Sequence, residues 1–121
     1  MALVLVIDDS PTDVRVLTVM LDRNGFTVQV ADNAVDGIQK AKNLRPDLIL
    51  MDVIMPGMNG FQATRMLSKD SETAGIPVII VTTKNMEADR LWGLRQGARD
   101  FVTKPPTEKD LVARINRLLQ A

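Results

Sequence analysis

Leu3-Val4-Leu5-Val6-Ile7-Asp8-Asp9 decides the fold, because an uninterrupted apolar run of strand length ends there in two carboxylates. A run that short, with no polar alternation, reads as a strand covered on both faces. Leu48-Ile49-Leu50-Met51 repeats the pattern and ends in Asp52. Adjacent strands lie about 4.8 Å apart, so two such runs would bring their acids to one place. Crowded carboxylates repel one another unless a proton or a cation stands between them. The chain has no His and no Cys, which makes an oxygen-liganded hard cation such as Mg²⁺ the natural counter-charge.

Outward from these runs, strand-like and helical patterns alternate along the chain, the mark of a parallel sheet with helices on both faces. A helix is expected over about 11–23, with Ser10 as N-cap, Pro11 in the first position and Asp13 in the first turn. Asn24-Gly25 stops it. Residues 27–31 alternate like a short strand, and Asn33 is expected to cap a helix whose apolar face is Val35, Ile38 and Ala41. Pro56, Gly57 and Gly60 make 55–60 a loop, and a helix over about 61–68 follows. The β-branched run 77–81 reads as a strand ending at Thr82-Thr83. Asn85 is expected to cap the next helix, and Gly97 to end it. Residues 101–103 form the fifth strand, broken by Lys104-Pro105-Pro106. Thr107 with Asp110 resembles a capping box, and Leu111, Ile115 and Leu118 stripe the last helix.

Five strand–helix pairs with short connections predict one domain, 1–121, built on a doubly wound, flavodoxin-like parallel sheet of order 2-1-3-4-5. Ligand sites in such sheets lie at the carboxyl ends of the strands, near the point where the strand order reverses. Asp8, Asp9, Asp52, Thr82 and Lys104 all fall at such ends.

Composition narrows the function. Of 121 residues, 45% are hydrophobic and 25% charged, and 15 Lys plus Arg balance 15 Asp plus Glu. That balance leaves no basic footprint for nucleic acid or an anionic membrane. No apolar stretch is long enough to span a bilayer, and the N-terminus has no positively charged leader. A cytoplasmic location is expected, with which the absence of Cys agrees. Without His, the chain itself cannot run Ser-His or Cys-His catalysis.

The ordered set Val6-Ile7-Asp8-Asp9, Asp52, Met55-Pro56-Gly57-Met58-Asn59-Gly60, Val81-Thr82 and Lys104-Pro105 resembles the receiver domain of a two-component response regulator. The likeness spans the whole chain. Within that family, Asn59-Gly60-Phe61-Gln62-Ala63-Thr64-Arg65, Val81-Thr82-Thr83-Lys84 and Trp92-Gly93-Leu94-Arg95-Gln96-Gly97-Ala98-Arg99-Asp100 are similar to stand-alone PilH-type regulators of type IV pilus twitching motility.

The resemblance implies that Asp52 is a phosphoacceptor whose carboxylate attacks phosphorus to form an acyl phosphate. It implies Mg²⁺ held by Asp9, by Asp8 through water, by Asp52 and by the backbone carbonyl of Ile54. Lys104 and the Thr82 hydroxyl would each contact a phosphoryl oxygen. Phe101, three residues before Lys104, would move in behind Thr82 during switching. The fourth helix, fifth strand and fifth helix would then present a surface to a protein target. With no His in the chain, the phosphodonor would be a separate histidine kinase of CheA type, and a monomer without an output domain is the expected form. The resemblance also implies a cis Lys104-Pro105 bond.

Some residues depart from the family pattern. Ile54, two residues after the acceptor, and Lys84, two after Thr82, stand where side chains border the path of the hydrolytic water. Pro106 replaces what is often an apolar non-proline residue.

Rival readings are weighed on the same residues. An aspartyl phosphohydrolase would need a second acid where Ile54 stands. A flavin carrier would need a Ser/Thr-rich phosphate loop where Asp8 and Asp9 would repel phosphate. A phosphate sink for a sibling regulator, or a phosphorylation-independent interaction module, remains open, whereas turnover of an external substrate is not expected. Thr83 reads as a plain strand residue and Trp92 first as helix packing. Met55 and Met58 read as gap-filling contacts.

Overall fold

Parallel ladders join five strands in the order β2-β1-β3-β4-β5. The elements run β1 (Leu3–Ile7), α1 (Pro11–Arg23), β2 (Thr27–Ala31), α2 (Ala34–Leu44), β3 (Leu48–Met51), α3 (Gly60–Lys69), β4 (Val78–Thr82), α4 (Glu87–Arg95), β5 (Asp100–Thr103) and α5 (Glu108–Leu119). This computed structural model describes residues 1–120; Ala121, the last residue of the expected domain, lies outside them. Register aligns the strand ends. Ile7 stands opposite both Ala31 and Met51, and Thr82 stands opposite Thr103.

Alternation within the apolar runs explains why they contain no polar residue. Leu5, Ile7, Ile49, Met51, Ile80 and Phe101 face one side, against Ala34 and Ala41 of α2 and Ala63 and Leu67 of α3. Val4, Val6, Leu48, Leu50, Ile79 and Val81 face the other, against Leu17 and Leu21 of α1 and Leu111 and Ile115 of α5. Each fully buried side chain of this size contributes about 1.5–3 kcal/mol relative to exposure. The sheet is therefore a stiff floor.

Helix starts follow the side-chain chemistry. Ser10 Oγ accepts from Asp13 N at 3.3 Å, Asn33 Oδ1 from Asp36 N at 2.8 Å, and Thr107 Oγ1 from Asp110 N at 3.4 Å. Asn59 and Gln62 cap α3 reciprocally at 2.9 and 3.0 Å, a capping box that starts the helix at Gly60, one residue earlier than expected.

Two expectations need correction. Asn85 does not cap α4: Met86 holds that position, and its amide donates to Asp89 Oδ2 at 3.3 Å. Val35 is not on the packed face of α2 but 64% exposed; Ala34, Gly37 and Ala41 are buried instead. The β4 and β5 strands also include Thr82 and Asp100 respectively. Among the described residues, no helix is long and apolar enough to cross a membrane.

Gly60 ties this scaffold to the central acid. Its amide donates to the Val53 carbonyl at 3.0 Å, closing the loop after β3. A Cβ at Gly60 would lie 1.9 Å from the Asp52 carbonyl oxygen and 2.8 Å from Val53 Cα. Both are backbone atoms, which cannot swing aside. Gly60→Ala is expected to destabilise by about 2–3 kcal/mol, the upper range for overpacking. The check is a lower urea midpoint at unchanged slope. Gly75→Ala, where a Cβ meets nothing within 4 Å, serves as the control and should shift stability by less than about 0.5 kcal/mol.

Candidate functional site

The ladders that build the sheet also assemble the acids. Asp52 N donates to Ile7 O at 2.9 Å, and Asp8 N donates to Ala31 O at 3.1 Å, so each acid continues its strand's pairing by one residue. Asp8, Asp9 and Asp52 each place a carboxylate oxygen within 4.8 Å of the others. Asp8 and Asp52 are buried, at 2% and 6% exposure, whereas Asp9 is exposed. Local amides orient the buried pair: Ser10 N donates to Asp8 Oδ1 at 2.9 Å, and Val53 N donates to Asp52 Oδ1 at 2.8 Å.

Lys104 enters from the fifth strand. Its amide donates to Thr82 O at 2.7 Å, extending the β4–β5 pairing, and the Lys104-Pro105 bond is cis. Its Nζ donates to Asp8 Oδ2 at 2.9 Å and to Asp13 Oδ2 at 2.8 Å, and lies 3.6 Å from Asp52 Oδ2. Thr82 is fully buried, and its Oγ1 accepts from Lys84 N at 3.4 Å. Ile54, 55% exposed, follows in the loop after Asp52.

The electrostatics follow from burial and charge count. Burial raises the Asp52 pKa above the ordinary carboxylate range, and the neighbouring Asp8 charge raises it further. Lys104 and the amides of Val53 and Ile54 oppose that shift without cancelling it. For Lys104, burial disfavours the ammonium, but the hydrogen bonds it donates to Asp13 and Asp8 and the charge of Asp52 outweigh it and hold its pKa above the usual lysine value. One ammonium thus serves several carboxylates, and the site remains short of positive charge. An all-oxygen donor set converging this closely suits a small hard divalent cation.

Asp8, Asp9, Asp52 and Lys104 therefore come together as expected. Phe101 does not join them. It is already buried (8% exposed), packed beneath α4, where a Cβ on Gly93 would lie 3.3 Å from its ring and 2.8 Å from Ile80 Cδ1. Lys84 turns away from the acids, its Nζ lying 3.8 Å from Asp89 Oδ1 at the start of α4. Trp92, read first as helix packing with a partner contact as the alternative, is 50% exposed. Asp13 is the residue the sequence reading missed. Its first-turn position explained it fully as a partner of the helix dipole. The available signal was the shortness of the β1–α1 connection, which sets that first turn beside the strand ends.

A cleft of about 280 Å³ opens next to the Lys104–Asp13 pair, lined by Val16, Leu17, Thr83, Pro105 and Pro106 as well as the pair itself.

Residues 4–116 match the family described as the response regulator receiver domain. The chain is 56% identical over 119 residues to Protein PilH of Pseudomonas aeruginosa, covering 98% of both. A CheY-like response regulator receiver domain protein from Methanospirillum hungatei superimposes with a TM-score of 0.91 at 26% identity, over 99% of this chain and 94% of that one. The receiver domain of a sensor histidine kinase from Pseudomonas aeruginosa superimposes with a TM-score of 0.92 at 27% identity, over 99% and 98% of the two chains. That structure has a magnesium ion coordinated in its active site cleft. A match over nearly the whole chain, on a sheet of the same order, places this chain among the response regulator receiver domains.

Proposed function

We propose that this chain is a phosphorylation-controlled signalling switch whose Asp52 accepts a phosphoryl group from a separate histidine kinase of CheA type. The observation that carries the reading is the Lys104 ammonium, bonded to Asp8 and 3.6 Å from Asp52, over three converged carboxylates. An Asp52 oxygen attacks phosphorus; the new O–P bond forms as the donor's N–P bond breaks, and that bond's electron pair stays with the imidazole nitrogen. Asp8, Asp9 and Asp52, with the backbone carbonyl of Ile54, would hold Mg²⁺. Bound there, the ion would offset the repulsion between acceptor and phosphoryl oxygens. Lys104 donates to one phosphoryl oxygen and Thr82 to another. The chemistry is confined to the chain's own acid and involves no external substrate as its main task.

Output runs through α4. Gly93 is its single buried residue, while Met86, Leu91 and Trp92 are 66%, 54% and 50% exposed. A helix held by so little apolar burial shifts at low cost. Thr82 connects it to the site, because a hydroxyl drawn toward phosphate leaves the Lys84 amide that now donates to it. Charge-assisted hydrogen bonds of about 1.5–3 kcal/mol each can supply the roughly 5.5 kcal/mol that inverts a 1:99 equilibrium. The α4-β5-α5 face is then the surface for a protein target. Likeness to Protein PilH supports a place in twitching-motility or chemotaxis signalling.

Acetyl phosphate should add one phosphoryl group to the intact protein in the presence of Mg²⁺, read by mass, and Asp52→Ala should gain none. A fully folded wild type that gains nothing would overturn the reading. Ile54→Asn introduces a side chain able to orient water beside the acyl phosphate and should speed its decay roughly tenfold, equivalent to about 1.4 kcal/mol in the barrier; an unchanged half-life would count against that role.

The raised Asp52 pKa yields a third expectation. A carboxyl whose folded pKa lies above its unfolded value stabilises the protein at low pH and loses that contribution as pH rises through the folded pKa. With divalent ions chelated at neutral pH, Asp52→Asn should therefore exceed the wild type by roughly 1 kcal/mol or more. The gap should close on acidification through the Asp52 pKa. Mg²⁺ at about 100 times its Kd should restore about 2.7 kcal/mol to the wild type, and less to the variant. Thermal unfolding across pH reads all three.

A further inference from the structure

We infer that Asp13 is a positioning residue that holds Lys104 back from the phosphoryl position and thereby lowers the readiness of Asp52 to take a phosphoryl group. The inference rests on the proposed acceptor role of Asp52. Lys104 Nζ donates as closely to Asp13 (2.8 Å) as to Asp8 (2.9 Å), while Asp52 Oδ2 stands off at 3.6 Å. Asp8 is a buried member of the acid cluster, fixed by the Ser10 amide. Asp13 lies outside that cluster, in the first turn of α1, with 39% of its side chain exposed. Its bond to Lys104 therefore contributes nothing to holding a cation and competes for the same ammonium.

An ammonium has three donors, and two are engaged. A phosphoryl group on Asp52 would draw Nζ toward Asp52, away from α1, and stretch the bond to Asp13. The neighbouring cleft, about 280 Å³ and bordered by Val16, Thr83 and Pro106, gives the released carboxylate room to turn into water without repacking the core. Asp13 takes part in the helix start through its backbone amide, which donates to Ser10 Oγ. A change confined to its carboxylate leaves that cap intact.

The test uses the full chain as wild type, Asp13→Asn, Asp13→Glu, Lys104→Met and the Asp13→Asn/Lys104→Met double variant, each checked for fold by circular dichroism. Two quantities are measured: the rate of Asp52 phosphorylation by acetyl phosphate with Mg²⁺, for all five proteins, and calorimetric affinity for beryllofluoride with Mg²⁺, for the three that retain Lys104. Asp13→Asn should phosphorylate about three- to tenfold faster and bind the mimic tighter by a similar factor, the scale of losing one partly exposed competing ion pair. Asp13→Glu, which keeps a partner for the ammonium, should stay close to wild type. In the Lys104→Met background, Asp13→Asn should leave the rate unchanged.

An unchanged or slower Asp13→Asn protein would overturn the inference. An equal gain with and without Lys104 would do so too, because it would reduce Asp13 to through-space repulsion of the anionic donor. Failure of the acceptor role itself looks different: the wild type would then neither gain mass nor bind the mimic.

Discussion

Repulsion among Asp8, Asp9 and Asp52, relieved within the chain chiefly by Lys104, is the constraint on which the rest of the structure depends. Carboxylates left free would move apart or take up protons. These are prevented from separating because each of the two buried acids continues a strand whose side chains are packed on both faces. The apolar runs therefore supply stability and also hold charges at a separation that those charges oppose. Burial first, and then the charge of Asp8, raise the Asp52 pKa. Stability given up at the strand ends is offset by the clusters beneath them, the usual relation between a strained site and its scaffold.

The same constraint divides the molecule into a stiff part and a soft one. Strands β1, β3 and β4 cannot shift without disturbing both apolar clusters, and Gly60 locks the loop after β3 against the Asp52 backbone. The fourth helix has no comparable anchor. Its one buried residue is Gly93, where the missing Cβ leaves space for Ile80 and Phe101. Phe101 is buried beneath α4 at that point, 8% exposed. Thr82 and the loop that follows it are the direct covalent link from the strand ends to α4.

Much of this was legible because it rests on patterns that burial enforces. A parallel strand covered on both faces has to be apolar throughout, so β1, β3 and β4 are plain in the sequence, and the acids after β1 and β3 mark the candidate site. Helix caps built on Ser10, Asn33 and Thr107 were equally plain, since a short oxygen-bearing side chain has few other reasons to stand there. Failures arose where size mattered more than hydrophobicity. The α2 helix packs through Ala34, Gly37 and Ala41, and a Cβ on Gly37 would lie 2.5 Å from Ile7 Cδ1. At that distance the smallest residues face the sheet and Val35 is turned outward. Asn85 misled because Asp89, four residues later, caps the Met86 amide from within the helix. Asp13 was hidden by a sufficient local explanation, and only the fold shows that the first turn of α1 and the end of β5 share one ammonium.

Lys84 shows how a departure in sequence can redirect a site without changing its acids. Its amide bonds the Thr82 hydroxyl at 3.4 Å while its ammonium lies 3.8 Å from Asp89 in the first turn of α4. An exposed pair at that separation contributes at most about 1 kcal/mol, too little to hold α4 in place alone. Its importance is positional. One residue connects the hydroxyl that would follow a phosphoryl group with the start of the helix that presents Leu91 and Trp92 to solvent. Were Thr82 to move toward a phosphoryl group, the Lys84 backbone would lose a partner at the same point where its side chain meets the helix. Under the proposed phosphorylation of Asp52, the loop between β4 and α4 would carry a displacement through few intermediate contacts, which is what a small domain with a stiff sheet requires to turn a local charge into a change of surface.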